Sequence, residues 1–304
     1  MAKGIIILGN GFDLDLGLET SYSSFAKSDQ WKELMNNNEH SKDINWLLGF
    51  IKSKYEVEKW IDIEAALLEY AINKKRNNII AYSNGDENDF NALRRSLKSY
   101  LKEQQSLFVR PTKKSVASWL LSCLGSISND SRLYTFNYTQ LDVLATRGNY
   151  NHIPDAEHIH GSLDDYGELI FGIETNSINI DERYAFLFKT QNRMYQHTDL
   201  FKDLMDKDEY IFFGHSLNGM DYNYFRSLFT TLARNALNTP RLTIITKNES
   251  DEYSFKNFLR DSNVSLQGLY SNTIPTFILT DEVYRGNDNE QRKVMELLER
   301  VRAM

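Results

Sequence analysis

The 304-residue chain contains a single cysteine, Cys123, and only four prolines. A lone thiol cannot close an intramolecular disulfide, and it cannot build a structural zinc knuckle, which takes paired thiolates. A reducing cytoplasm is the expected environment. Scarce proline suits a helix-rich chain, and 17 Tyr and 17 Phe supply aromatic packing. Long apolar runs are lacking as well. No stretch approaches the ~20 apolar residues of a membrane span, and the Ile5–Leu8 run near the start is too short for the apolar part of a secretion signal. There is no basic surplus. A net charge of −7 argues against nucleic acid as the main ligand, because neutralising phosphates needs a basic surface. The expected partner is a small molecule or a protein. With 41% apolar and 25% charged residues, the composition is that of a globular protein, long enough for one large α/β domain or a domain with a sizeable insertion.

Apolar periodicity predicts strands over 4–9, 132–136, 158–160, 168–172, 209–213, 241–246 and 276–279. Helical patterns cover 18–36, 43–75, roughly 88–108, 112–124, 184–205, 221–237, 250–261 and 289–302. Ser83-Asn84-Gly85-Asp86 reads as a turn inside a polar loop over 77–89. The alternation predicts an α/β, Rossmann-like fold, with a mostly parallel sheet covered by helices on both faces. The mainly helical stretch between the first two strands is too long for a simple crossover. The expected division is therefore a Rossmann-like core over 1–40 and 126–304, with an inserted helical lobe over 41–125.

Four motifs sit at the ends of predicted strands, where open α/β sheets bind ligands. Gly9-Asn10-Gly11-Phe12-Asp13 follows the first strand. Its glycines allow a tight turn and close approach to a ligand, with a helix N-terminus behind them that favours anionic groups. The full dinucleotide fingerprint would need glycine where Leu14 stands, so a plain turn is the competing reading. In Thr135-Phe136-Asn137-Tyr138-Thr139 the Asn137 amide suits ribose hydroxyls or a water, or else caps a helix. In His158-Ile159-His160-Gly161, strand alternation puts both imidazoles on one face. His160 suits general-base work, although a lone histidine is more often structural. Gly214-His215-Ser216-Leu217, followed by Asp221, suits ribose or phosphate contacts. It is no esterase elbow, because Asn218 replaces the final glycine, and Asp221 serves equally as a helix cap. Trp60 and Glu64 lie one helical turn apart, where packing and a salt bridge are the plain reading.

Taken in order, these motifs, together with Gly17-Leu18, Thr20-Ser21-Tyr22 and Trp60-x-x-x-Glu64, resemble the bacteriophage abortive infection AbiH family over residues 5 to about 225. That family is in turn similar to sirtuin-like NAD-consuming domains. The resemblance implies an antiphage effector that hydrolyses NAD at its nicotinamide–ribose bond. In it Asn137 and His160 are the catalytic pair, and Gly9, Asn10, Gly11, Phe12, Asp13, Thr20, Tyr138, Gly161, Gly214, His215, Ser216 and Asp221 line the NAD site. It departs from the sirtuin pattern in having Glu19-Thr20 where proline is usual. One cysteine cannot form the four-cysteine zinc module of protein-deacylating sirtuins, so water is the expected acceptor and no metal is expected. The leaving nicotinamide is already cationic, and its departure leaves an oxocarbenium-like sugar. The enzyme must then orient the ribose, exclude solvent and activate water. A phage-derived trigger, a neighbouring defence protein or a second copy of the chain are the partners such an effector implies. The rival readings are an NAD or ADP-ribose sensor without catalysis and an ADP-ribosyltransferase.

Overall fold

The computed structural model describes residues 3–58, 62–77, 83–164, 169–174, 179–193, 195, 200–205, 207–217, 221–234 and 239–304. The chain forms two compact units. One comprises Met1–Leu18, Phe108–Ile159 and His197–Met304, the other Glu19–Leu107 and His160–Gln196.

The first unit is built on six parallel strands, β1 (Gly4–Leu8), β2 (Arg132–Thr135), β3 (Glu157–His158), β4 (Glu209–Phe213), β5 (Arg241–Thr246) and β6 (Ile274–Leu279). Their order is β3-β2-β1-β4-β5-β6, the doubly wound order of dinucleotide-binding folds. β1 and β4 are buried along their whole length, as strands covered on both faces must be. Side chains alternate between two cores. Ile6, Leu8, Ile211 and Phe213 pack with the helices Val116–Leu124 and Asp288–Ala303. Ile5, Ile7, Tyr210 and Phe212 pack with the helices Tyr222–Arg234 and Glu249–Asp261. Pro275 is tolerated in β6 because that strand is an edge, with β5 as its neighbour.

The second unit is helical. It contains Tyr22–Phe25, Asp29–Asn37, Leu47–Glu58, Ile63–Arg76 and Ser83–Leu107, with short 3-10 turns at Glu39–Lys42, Glu182–Leu187 and Lys189–Gln191. Ser21, Ser28 and Asp62 each cap a following helix with a side-chain oxygen.

Several expectations change. The unit boundaries fall at 18/19, 107/108, 159/160 and 196/197, and Val116–Leu124, expected in the lobe, packs in the sheet unit's core. The pattern over 18–36 is broken into two helices by Ser28. Ser83-Asn84-Gly85-Asp86 opens the longest helix rather than a turn. β3 ends at His158, so His160 lies in a turn and strand alternation does not relate the two imidazoles. Leu169–Gly172 pairs with no strand, and Glu168 lies outside the described residues. Tyr184–Met205 is no continuous helix but two 3-10 turns and the short helix Leu200–Asp203. Trp60 and Asn218 also lie outside the described residues.

Candidate functional site

In the sheet unit, β1 leads through Gly9 into the helix Asn10–Asp15. The strand order reverses between β1 and β4, and the two loops leaving these strands are knitted together there. Gly9 N–H donates to Phe213 O and Gly11 N–H to Gly214 O, both at 2.9 Å. The contact is backbone against backbone. A Cβ on Gly11 would stand 2.6 Å from Gly214 Cα, and one on Gly214, whose φ is +62°, would stand 2.4 Å from Gly11 Cα. No side chain fits at either place. The first task of these glycines is thus to let two loops touch, and Gly11 commits its amide to Gly214 rather than to a ligand.

The Phe12 and Asp13 side chains turn inward. Phe12 sits edge-on to Phe213 with ring centres 5.3 Å apart, in the core. Asp13 is completely buried. Its Oδ2 accepts from Thr139 Oγ1 at 2.6 Å and its Oδ1 from Asn137 Nδ2 at 2.8 Å. Burial pushes its carboxyl up to about 7, against the opposing effect of those two hydrogen bonds. Asn137 Nδ2 donates also to Gly9 O at 3.0 Å, so this amide ties the β2 loop to the glycine loop. Tyr138 stands half-buried beside it.

A cavity of about 640 Å³ opens at the C-terminal ends of β1, β4, β5 and β6. Asn10, Gly11, Gly214, His215 and Ser216 line it, as do Thr246, Lys247 and Asp251 following β5 and Thr280 and Asp281 following β6. Its size is that of a small-molecule site, and the crevice at the switch point is where doubly wound sheets bind nucleotides. His215 has a fixed orientation. Its Nδ1 accepts from Leu217 N–H at 3.0 Å, which leaves the proton on Nε2, 3.8 Å from Asp221 Oδ2. The edge of Phe136, 4.4 Å away between ring centres, and Phe225 hold the imidazole in place. Asp15 and Tyr284 form another wall. Asp15 accepts from Ser115 Oγ, Ala117 N and the Tyr284 hydroxyl. Burial raises the Asp15 carboxyl, and burial together with Asp15 raises the Tyr284 hydroxyl. None of Asp15, Lys247, Asp281 and Tyr284 belongs to a recognisable motif. Only their positions just after strands or at the first helix's end could have marked them.

Asn137 belongs to the sheet unit, whereas His160, Gly161 and Thr20 belong to the helical unit. There His160 is buried in a charged cluster. Its Nε2 lies 3.3 Å from Lys189 Nζ. Lys189, 1% exposed, lies 3.3 Å from Glu64 Oε1 and 3.8 Å from Glu174 Oε2. Gly172 N–H donates to Glu64 Oε1 at 3.3 Å, and Tyr195 Oη donates to Glu174 at 3.2 Å. An ammonium donates and does not accept, so the contact assigns the lone pair of His160 to Nε2 and its proton to Nδ1. Glu64 is confirmed as a salt-bridge residue. Lys189 escaped notice because it reads as one more cation on an expected helix.

The family model described as bacteriophage abortive infection AbiH matches residues 5–240. No curated protein and no solved structure matches the chain.

Proposed function

The chain belongs to the bacteriophage abortive infection AbiH family, and from that premise, which implies a part in abortive-infection defence against phage, we propose that it is an NAD glycohydrolase. The reading is supported above all by one observation, the 640 Å³ cavity at the β1/β4 switch point with the glycine loop in its wall. In this reading NAD lies along the C-terminal strand ends, with Lys247 facing the diphosphate and the Ser216 and Thr246 hydroxyls meeting ribose. Asn137 acts by holding the glycine loop through Gly9 O and Asp13. Nicotinamide leaves with the electron pair of its bond to the ribose carbon. A water oxygen then bonds to that carbon and gives up a proton, so the products are ADP-ribose, nicotinamide and a proton. The proposed base is His160, the imidazole of the His-Ile-His-Gly motif.

Purified protein mixed with NAD and assayed for free nicotinamide tests the reading. Turnover is expected in the wild type, with a loss of ~10²–10⁴-fold in His160→Ala and retention of NAD binding. A wild-type protein that releases no nicotinamide, alone or with extract of phage-infected cells, overturns it. One observation favours a second reading, an NAD sensor that does not cleave. Lys189 already occupies the His160 Nε2 lone pair, and an imidazole so engaged must first lose that contact to accept a proton there. Calorimetric binding of NAD without nicotinamide release selects the sensor.

A further inference from the structure

The helical unit holds a second cavity, of about 430 Å³, lined by residues that none of the motifs includes. One wall is aromatic. Phe90 and Phe171 stack with ring centres 5.7 Å apart and planes 12° apart, and Phe186 leans on Phe90 at 5.8 Å. Phe90 and Phe171 are buried, while Phe186 and Phe188, which also line the cavity, are half-exposed. Among the described residues, the polar lining consists of the guanidinium groups of Arg94 and Arg193, the amides Asn91, Gln191 and Asn192, and the carboxylate Glu87. Arg94 Nη2 donates to Asn91 Oδ1 at 3.2 Å, which orients its planar head.

Each half of this lining selects a different part of a ligand. Phenyl faces attract a flat ring whatever its hydrogen-bonding pattern. Guanidinium pairs suit a phosphate or carboxylate, to which they donate in parallel. Side-chain amides can both donate to and accept from the edge of a heterocycle. An apolar molecule of this size would make no use of the arginines and amides, and an inorganic anion would leave the rings unused. The volume lies at the small end of ordinary ligand sites, which suits one nucleotide better than two.

We propose that this cavity is a binding site for a single nucleoside monophosphate or an equivalent flat aromatic anion, distinct from the cavity at the sheet's switch point. The aromatic ring packs on Phe186 and Phe188 while Arg94 and Arg193 hold the anionic group. The inference stands whether or not the protein cleaves NAD, since every residue it uses lies within the helical unit.

Isothermal titration of the full chain with adenosine 5′-monophosphate, adenosine and inorganic phosphate, each alone, tests it. The monophosphate is expected to bind at least tenfold more tightly than either part. Arg193→Ala and Phe186→Ala are each expected to weaken that binding at least tenfold. Arg193 is exposed, so its variant retains the fold, and circular dichroism verifies this for both. Three results overturn the proposal: no binding of the monophosphate, binding of phosphate as tight as that of the nucleotide, or nucleotide binding that survives Arg193→Ala.

Discussion

Single residues carry the most direct tests, and Asp13 is the clearest. Its burial raises the carboxyl from 3.8 to about 7 in the folded protein. Below about pH 4 both states hold the proton, and the group's full contribution to folding is present. As pH rises the unfolded chain sheds its proton first, so that contribution is progressively lost until the folded form ionises near 7. Asp13→Asn removes the titration. Relative to this variant, the wild type should lose stability between pH 4 and 7, by something on the order of 4 kcal/mol over the full span. Urea unfolding of both proteins at pH 5 and pH 8 should capture roughly 3 kcal/mol of that loss, and parallel profiles would count against the buried carboxyl. Lys189 is a second case. Its ammonium, 1% exposed, lies between Glu64 and Glu174, and removing one partner of a buried ion pair costs about 3–5 kcal/mol. Lys189→Met should therefore destabilise the protein by roughly 3 kcal/mol at neutral pH. A midpoint close to wild type would mean that water already reaches the cluster.

Among elements, the paired loops after β1 and β4 are the most sharply constrained. Gly214→Ala forces a Cβ against Gly11 at 2.4 Å and does so at φ +62°. The left-handed conformation costs about 1–2 kcal/mol and overpacking about 1–3 kcal/mol. Together they should lower the unfolding midpoint and distort the switch-point cavity, so that, on the proposed reading, NAD affinity falls along with stability. Unchanged NAD affinity in a destabilised Gly214→Ala protein would separate the loops from the binding site. The strands that carry these loops are legible in the sequence, because runs such as Ile5–Leu8 and Tyr210–Phe213 are apolar without alternation, as a doubly covered parallel sheet requires. Their glycines were legible only as turn formers. The partner loop that gives Gly11 its reason lies some two hundred positions away, and no local pattern reports it. The same holds for Ser83-Asn84-Gly85-Asp86, whose composition signals a turn. Asp86 instead accepts from Leu47 N, Tyr70 Oη and Tyr184 Oη, and Gly85 faces the Trp46 ring too closely for any side chain. Tertiary contacts override the local preference. His160 shows the limit for the site itself. Its motif singled it out, but its neighbour Lys189, 29 residues on, required the fold.

For the whole molecule, the chain leaves the sheet unit after Leu18, returns at Phe108, leaves again after Ile159 and returns at His197. Neither unit is a continuous segment, which explains why periodicity along the sequence placed the lobe's borders elsewhere. The switch-point cavity and the cavity of the helical unit make the location of the proposed NAD ligand a question about the entire chain. Hydrogen exchange answers it, since a ligand that binds only the folded state slows opening by about the ratio of its concentration to its dissociation constant. With the His160→Ala protein, in which the proposed cleavage is expected to be lost, at a hundredfold excess of NAD over that constant, amides opened by global unfolding should slow about a hundredfold everywhere. Loop amides exchange by local opening and report position instead. Extra protection should therefore gather in 9–16, 214–217, 246–251 and 280–284, the segments around the switch-point cavity. Protection concentrated at 87–94 and 186–193 would move NAD to the helical unit and leave the glycine loop with a purely architectural role.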